Sequence, residues 1–207
     1  MSPNQRDHQL WEDLRKGSSP ALSKLFQTYA DELFSYGMLE CGDQSVVEDS
    51  IQNLFLRIWK NHRKLRPVDN IKAYLIASLS NAIRDNYRKL KIVPSFRLSI
   101  PEDFTIADPW LVQTSTEEEW IRREQQQLQR SLLQECLASL PERMQQVIYL
   151  RYSSGLDYAE IAEVMGIKPQ TVANMIHRAS KKLRHFSERY TERLLFFLSF
   201  SLLFFWG

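Results

Sequence analysis

Cysteine is scarce in this chain: Cys41 and Cys136 are the only two in 207 residues, and no CxxC spacing joins them. A disulfide framework and a thiolate zinc site are therefore not expected, and a reducing compartment fits. No P-loop, GxGxxG or HExxH motif occurs, and the four histidines, His8, His62, His177 and His185, stand beside no candidate nucleophile. An enzyme is thus not expected, nor is a cofactor or a metal. Long apolar/polar alternations are missing, which argues against a sheet. No uncharged run reaches the ~20 residues that span a bilayer, and the polar segment Met1–Leu14 lacks the apolar centre of a secretory signal. Even a charge excess is absent, because 27 Lys+Arg against 25 Asp+Glu leave only +2. With 43% hydrophobic residues the chain can still build real cores, so wholesale disorder is excluded.

What the bulk charge hides, its distribution shows. Residues 57–91 hold ten basic and two acidic residues, 98–121 hold six acidic and no basic ones, and 168–184 hold five basic and no acidic ones. Blocks of one sign mark interaction surfaces or solvated tails. The acidic block carries Pro94, Pro101 and Pro109 without a sustained apolar period, so it reads as a linker. On either side the period is helical. Leu22, Leu25, Phe26, Tyr29, Leu33 and Tyr36 recur at three- to four-residue steps, as do Val47, Ile51, Leu54, Phe55 and Ile58, then Ile71, Leu75, Leu79 and Ile83. Beyond the linker, Leu128–Leu140 gives another stripe, Pro141 suits a first helical turn, and Gly155 suits a C-terminal cap. The expected fold is all-α, with two small helical domains joined by an acidic flexible linker.

The sharpest local signal is Tyr158–Ile176. Asp157 with Glu160 resembles a capping box, Gly166 supplies a left-handed turn, and Pro169 opens the next helix. Ile161, Ala162, Met165, Ile167, Val172 and Met175 fall where two short crossing helices need apolar or small residues. The outward face then shows Gln170, Thr171, Asn174, His177, Arg178 and Lys181, which suits base edges and phosphates in a major groove. An ordinary helical hairpin with a solvated basic face is the alternative. Two weaker signals precede it. Glu48–Trp59 is a helix with a polar stripe of Asp49, Gln52, Asn53 and Arg57 beside its buried one. The helix from Ile71 to Lys91 groups Asn81, Asp85 and Arg88, with Arg84, Lys89, Tyr74 and Tyr87 nearby. Basic side chains interleaved with aromatics suit single-stranded nucleic acid.

In this order the three pieces resemble a bacterial RNA polymerase sigma factor of the extracytoplasmic-function type, in the sigma-70 family. Asp49–Trp59 is similar to its polymerase-clamp helix, Ile71–Leu75 with Asn81–Arg88 to its −10 helix, and Leu140–Arg184 to its −35 reader. Two positions depart from the pattern: Asn53 stands where an acidic residue is usual, and Lys168 replaces a hydroxyl cap. The resemblance implies sigma domain two over 1–92, the linker over 93–126, sigma domain four over 127–190 and a hydrophobic tail over 191–207. It implies a linker that threads toward the polymerase cleft and RNA exit path. It further implies core RNA polymerase (the clamp of its largest subunit), promoter DNA and an anti-sigma factor as partners, in the bacterial cytoplasm. Polymerase contact falls to Asp49, Gln52, Asn53 and Arg57. Contact with the −10 element falls to Arg66, Asn70, Tyr74, Asn81, Arg84, Arg88 and Lys89, the loop Arg66–Asn70 forming a pocket for a flipped base. Contact with the −35 element falls to Lys168, Gln170, Thr171, Asn174, His177, Arg178, Lys181 and Lys182.

Two alternatives stay open at this point. One is a stand-alone helix-turn-helix regulator with an N-terminal domain for a partner or signal; the other is a scaffold protein that never touches DNA. The tail 194–207, in which eleven of fourteen residues are Leu, Phe or Trp, is too short to span a bilayer as a helix and apolar all round. Packing on the chain itself, on a partner or on a membrane surface are its candidate fates.

Overall fold

The computed structural model describes residues 3–89, 96–98, 131 and 133–189, and among them every regular element is helical. The N-terminal lobe holds α1 (Pro3–Arg15), α2 (Ser19–Cys41), α3 (Gln44–Lys60), a 3₁₀ turn (His62–Lys64) and α4 (Ile71–Lys89). The boundaries follow from capping chemistry. Ser18 Oγ accepts from the Ala21 N–H at the start of α2, Gly42 ends it with φ +69°, and Asp43 Oδ1 accepts from the Val46 N–H to begin α3. Asn70 Oδ1 does the same for α4, accepting from Ala73 N–H at 3.0 Å. The three apolar stripes converge: Leu25, Leu33, Leu54, Ile58, Leu75, Leu79 and Ile83 are buried together with Trp11 and Leu14 of α1.

The C-terminal lobe holds a helical segment at 133–138, α5 (Glu142–Ile148), a π turn (Tyr149–Ser153), α6 (Tyr158–Met165) and α7 (Pro169–Arg189). Pro141 sits at the cap position just before the first turn of α5, not inside it. The capping box of α6 is complete in both directions, with Glu160 N–H on Asp157 Oδ1 at 2.8 Å and Asp157 N–H on Glu160 Oε2 at 2.7 Å. Gly166 turns the chain with φ +63°, and Gly155 follows the π turn with φ +70°. The π turn has no counterpart in the periodicity, because a single five-residue turn is too short to set a period of its own.

The two lobes share one continuous core. Gln146 Nε2 of α5 donates to the buried Tyr36 hydroxyl of α2 at 2.6 Å. The Tyr149 ring tilts against Tyr36, with centroids 5.9 Å apart. A short stretch near the start of the expected linker is tied between them: Arg97 N–H donates to Leu39 C=O, Leu98 N–H to Gln145 Oε1, and Gln134 Nε2 to Leu98 C=O, each at 2.8 Å. Phe96 and Leu98 are buried. Within the expected flexible linker of 93–126, the described residues 96–98 are thus packed. The rest of that segment and the tail 194–207 lie outside the described residues. Among the described residues no helix is long and apolar enough to cross a membrane, and no cluster of His, Cys, Asp or Glu is placed to hold a metal ion.

Candidate nucleic-acid interface

The helix-turn-helix is built as its spacing predicts. Val172, Ile176, Ala179 and Leu183 of α7 are buried, the helix packing on both α5 and α6, and Ile161, Ala162, Val164 and Met165 of α6 are buried in turn. That orientation leaves Lys168, Gln170, Thr171, Asn174, His177, Arg178, Lys181 and Lys182 all exposed on the opposite side. Gln170 Nε2 reaches Asn174 Oδ1 at 3.3 Å, one turn on, so the two carboxamides lie side by side near the helix start. Lys168 caps with its backbone alone: its carbonyl accepts from the Thr171 and Val172 N–H groups at 2.8 and 3.2 Å. Its side chain is exposed at the end where the helix dipole is positive. The face combines short polar groups at the N-terminal turn with cations further along, the arrangement by which a helix lays its first turns on base edges and its flank on phosphates.

On α3, Asp49, Gln52, Asn53 and Arg57 are exposed along one flank while Val47, Ile51, Leu54 and Ile58 are buried. The structure adds a residue the sequence reading passed over. Leu56 is 54% exposed beside Arg57, and Phe26 of α2, 41% exposed, stacks edge-on against Phe55 at 5.1 Å. A polar stripe with an exposed leucine in it has the mixed character of a protein-docking face. The apolar period does set Leu56 apart from the stripe of Val47, Ile51, Leu54, Phe55 and Ile58, since it falls seven residues from Asp49 and four from Gln52 on the polar side.

The α4 region is less uniform. Asn81 and Arg88 are exposed, and Arg88 forms a surface ion pair with Asp85 at 3.0 Å. Arg66 is exposed in the loop before α4. Lys89 ends α4, and its side chain lies outside the described residues. Three other candidates have partners within the fold. Arg84 Nε lies 3.2 Å from Oε1 of Glu40, which is 3% exposed and also accepts from Ser80 Oγ at 2.7 Å. Burial pushes the Glu40 carboxyl above the ordinary carboxylate range, with the Ser80 and Arg84 contacts opposing. Tyr74 presses its ring edge-on to Trp11 at 5.2 Å. Asn70, the cap of α4, also donates from Nδ2 to Glu160 Oε1 of α6 at 2.6 Å. Beside it Lys72 bridges the lobes, with Nζ 3.0 Å from Glu32 Oε2 and donating to Ser154 C=O at 3.2 Å. No sequence signal announces these pairings, because each joins residues dozens of positions apart.

Comparison with known proteins gives the following. Residues 25–92 match the family described as Sigma-70 region 2 and residues 130–183 that described as Sigma-70, region 4. The chain is 24% identical over 183 residues to the ECF RNA polymerase sigma factor BldN of Streptomyces coelicolor, covering 88% of this chain and 66% of BldN. It is 25% identical over 175 residues to the ECF RNA polymerase sigma factor SigW of Bacillus subtilis, covering 83% of this chain and 91% of SigW. Among solved structures, the sigma factor RpoE of Bartonella quintana, in complex with the anti-sigma factor NepR, superposes with TM-score 0.52 at 16% identity, covering 80% of this chain and 96% of RpoE.

Proposed function

This chain belongs to the extracytoplasmic-function sigma factors of the sigma-70 family, and from that premise we propose how its two lobes divide the recognition of a promoter. It is a transcription initiation factor: it binds core RNA polymerase and directs it to promoters carrying matched −10 and −35 elements. Its work is binding, with no bond made or broken by its own side chains.

The observation that carries the division of labour is the exposed face at 168–184, which holds five basic residues and no acidic one. Gln170, Thr171 and Asn174 read base edges of the −35 element. Lys168, His177, Arg178, Lys181 and Lys182 hold the phosphates on either side. The flank of α3 bearing Asp49, Gln52, Asn53 and Arg57 docks on the clamp of the largest polymerase subunit, with Leu56 as its apolar anchor. Arg66, Tyr74, Asn81, Arg88 and Lys89 contact the non-template −10 strand, and the loop 66–70 accepts a flipped base. Arg84 contributes only after leaving Glu40. Asn70 contributes only after leaving Glu160, so its use on DNA requires the lobes to part at α4 and α6. Tyr74, Asn81 and Arg88 need no such separation.

An anti-sigma factor is a further partner in this reading, and the shared interlobe core is the surface such a protein would hold closed. Polymerase and promoter put the site of action in the bacterial cytoplasm. For the apolar tail 194–207 the chain itself, a partner and the membrane surface are the candidate contacts, and truncation after Arg193 followed by solubility, membrane co-fractionation and promoter-dependent transcription separates them. The polymerase assignment is tested by gel filtration of the chain with purified core enzyme. Substituting Gln52 and Arg57 together is expected to weaken co-elution while the thermal midpoint stays put; unchanged co-elution would remove the α3 assignment.

A further inference from the structure

Helix α1 lies before the matched segment that starts at residue 25, yet it touches the part of the N-terminal lobe that faces the −10 strand in the reading above. The Trp11 indole Nε1–H donates to the Arg66 carbonyl at 3.0 Å. One turn on, Arg15 Nε donates to the adjacent Leu65 carbonyl at 2.9 Å, while Glu12 grips Arg15 Nη1 with both carboxylate oxygens at 2.7 and 2.8 Å. Two consecutive loop carbonyls are therefore held by one rigid helix face. Trp11 is 2% exposed and its ring also abuts Tyr74 at the start of α4. At the other end of the loop, Asn70 is fixed as the cap of α4. Between these anchors stand Pro67, whose ring fixes φ, half-buried Val68 and exposed Asp69. A short loop pinned at both ends with a proline inside it has little conformational freedom left. A pocket that reads a base needs such preorganisation, because a loop that must be ordered on binding loses affinity for every sequence and discrimination between them.

We propose that α1 is a positioning element for the −10 loop, and that Trp11 and Arg15, through their grip on the Arg66 and Leu65 carbonyls, set how strictly the loop discriminates between bases. This rests on the reading of the loop as the −10 pocket, and the test separates the two. The experiment uses the full chain with purified core polymerase on promoters that differ by single bases in the −10 or in the −35 element. Trp11→Phe keeps an aromatic ring at the position facing Tyr74 while removing the N–H donor together with part of the indole's buried volume, and the stability cost of that cavity is read separately from the −10 ranking. Arg15→Ala removes the second grip, and Arg15→Lys restores a donor at that position. Val68→Ala and Asp69→Ala test the loop itself.

Trp11→Phe and Arg15→Ala are each expected to compress the ratio between the best and the mismatched −10 promoters by about three- to tenfold, the factor that corresponds to one net hydrogen bond. Arg15→Lys is expected to recover part of it. The ranking of −35 variants and co-elution with core should not move, and a change in stability alone would lower all promoters alike. If the loop variants shift −10 ranking while Trp11→Phe and Arg15→Ala do not, the positioning role is wrong and the loop reading stands. If the loop variants leave −10 ranking unchanged as well, the loop reading falls and the inference falls with it.

Discussion

Gly37 lies in the middle of α2, where glycine is the least favourable residue after proline, and the structure gives the reason for its presence. A Cβ built at this position would sit 2.7 Å from Val47 Cγ1 and 3.0 Å from Cγ2. Val47 is fully buried in α3, and a β-branched side chain in a helix has essentially one χ1 rotamer, so it cannot swing aside. Gly37→Ala gains about 1 kcal/mol of helix propensity. Against that, forcing a methyl group into a filled core costs ~1–3 kcal/mol, and the clash below 3 Å puts this case toward the upper half of that range. The net effect is a loss of about 1–2 kcal/mol, which for a chain of this length lowers the thermal midpoint by roughly 2–8 °C. Val47→Ala, which removes both clashing methyls, should be less damaging in the Gly37→Ala background than in the parent by at least ~0.5 kcal/mol. Thermal melts followed by helical circular dichroism measure all four proteins. A Gly37→Ala protein that melts at or above the parent, or a double variant that is simply additive, refutes the claim that close α2–α3 approach requires this glycine.

Three further outcomes follow from contacts already described. Glu40 has a raised pKa in the fold, so the folded chain holds its proton more tightly than the unfolded one; stability is fully present below the ordinary value of 4.5 and declines as pH rises through the folded value. Glu40→Gln keeps an acceptor for Ser80 and is expected to flatten that decline in urea titrations run at a series of pH values, whereas an unchanged slope would assign it to another group. Asp157→Ala removes the side-chain half of the capping box of α6 and leaves the backbone half to Glu160, at an expected cost of about 1 kcal/mol in the same melts; a change near zero would mean the cap is redundant. At the −35 element, Asn174→Ala should alter the preference among −35 variants by about 1–3 kcal/mol, whereas Lys181→Ala should weaken all of them alike and reduce the salt dependence of binding. Re-ranking by Lys181→Ala without re-ranking by Asn174→Ala would reverse the two roles.

Most of the helical architecture is legible in the sequence because helix boundaries are local chemistry. The capping box at Asp157 and Glu160, the turn at Gly166 and the inward stripe Val172, Ile176 are each readable from residues within a few positions of one another. Helix α1 is not read that way, because its apolar residues Leu10, Trp11 and Leu14 make a stripe too short to stand out, although Pro3 at its first position was a start signal. Long-range pairing was equally hidden. Arg84 looks from the sequence like one more cation in a basic helix, but it meets a buried carboxylate that only the packing of α2 on α4 brings to it. Asn70 reads as an available polar group in a loop, yet both ends of its carboxamide are engaged, one by α4 and one by Glu160 of the other lobe. Within 93–126, Phe96 and Leu98 are two of a dozen apolar residues scattered without a helical period through an acidic, proline-bearing segment, so nothing in the sequence singles them out. They are buried, Phe96 against Tyr36 and Leu98 hydrogen-bonded to Gln145 of the C-terminal lobe, contacts that only the packing of the two lobes creates.

The central claim is that this chain confers promoter choice on core RNA polymerase through two separate surfaces. Transcription reconstituted from the purified full chain, core enzyme and a library of promoters randomised at the −10 and −35 elements tests it most directly. The account predicts transcripts that depend on the chain, require both elements, change their −35 preference when Asn174 is substituted, and weaken when Gln52 and Arg57 are substituted together. A chain that selects DNA from the same library without core enzyme, and yields no promoter-dependent transcript with it, would contradict the account.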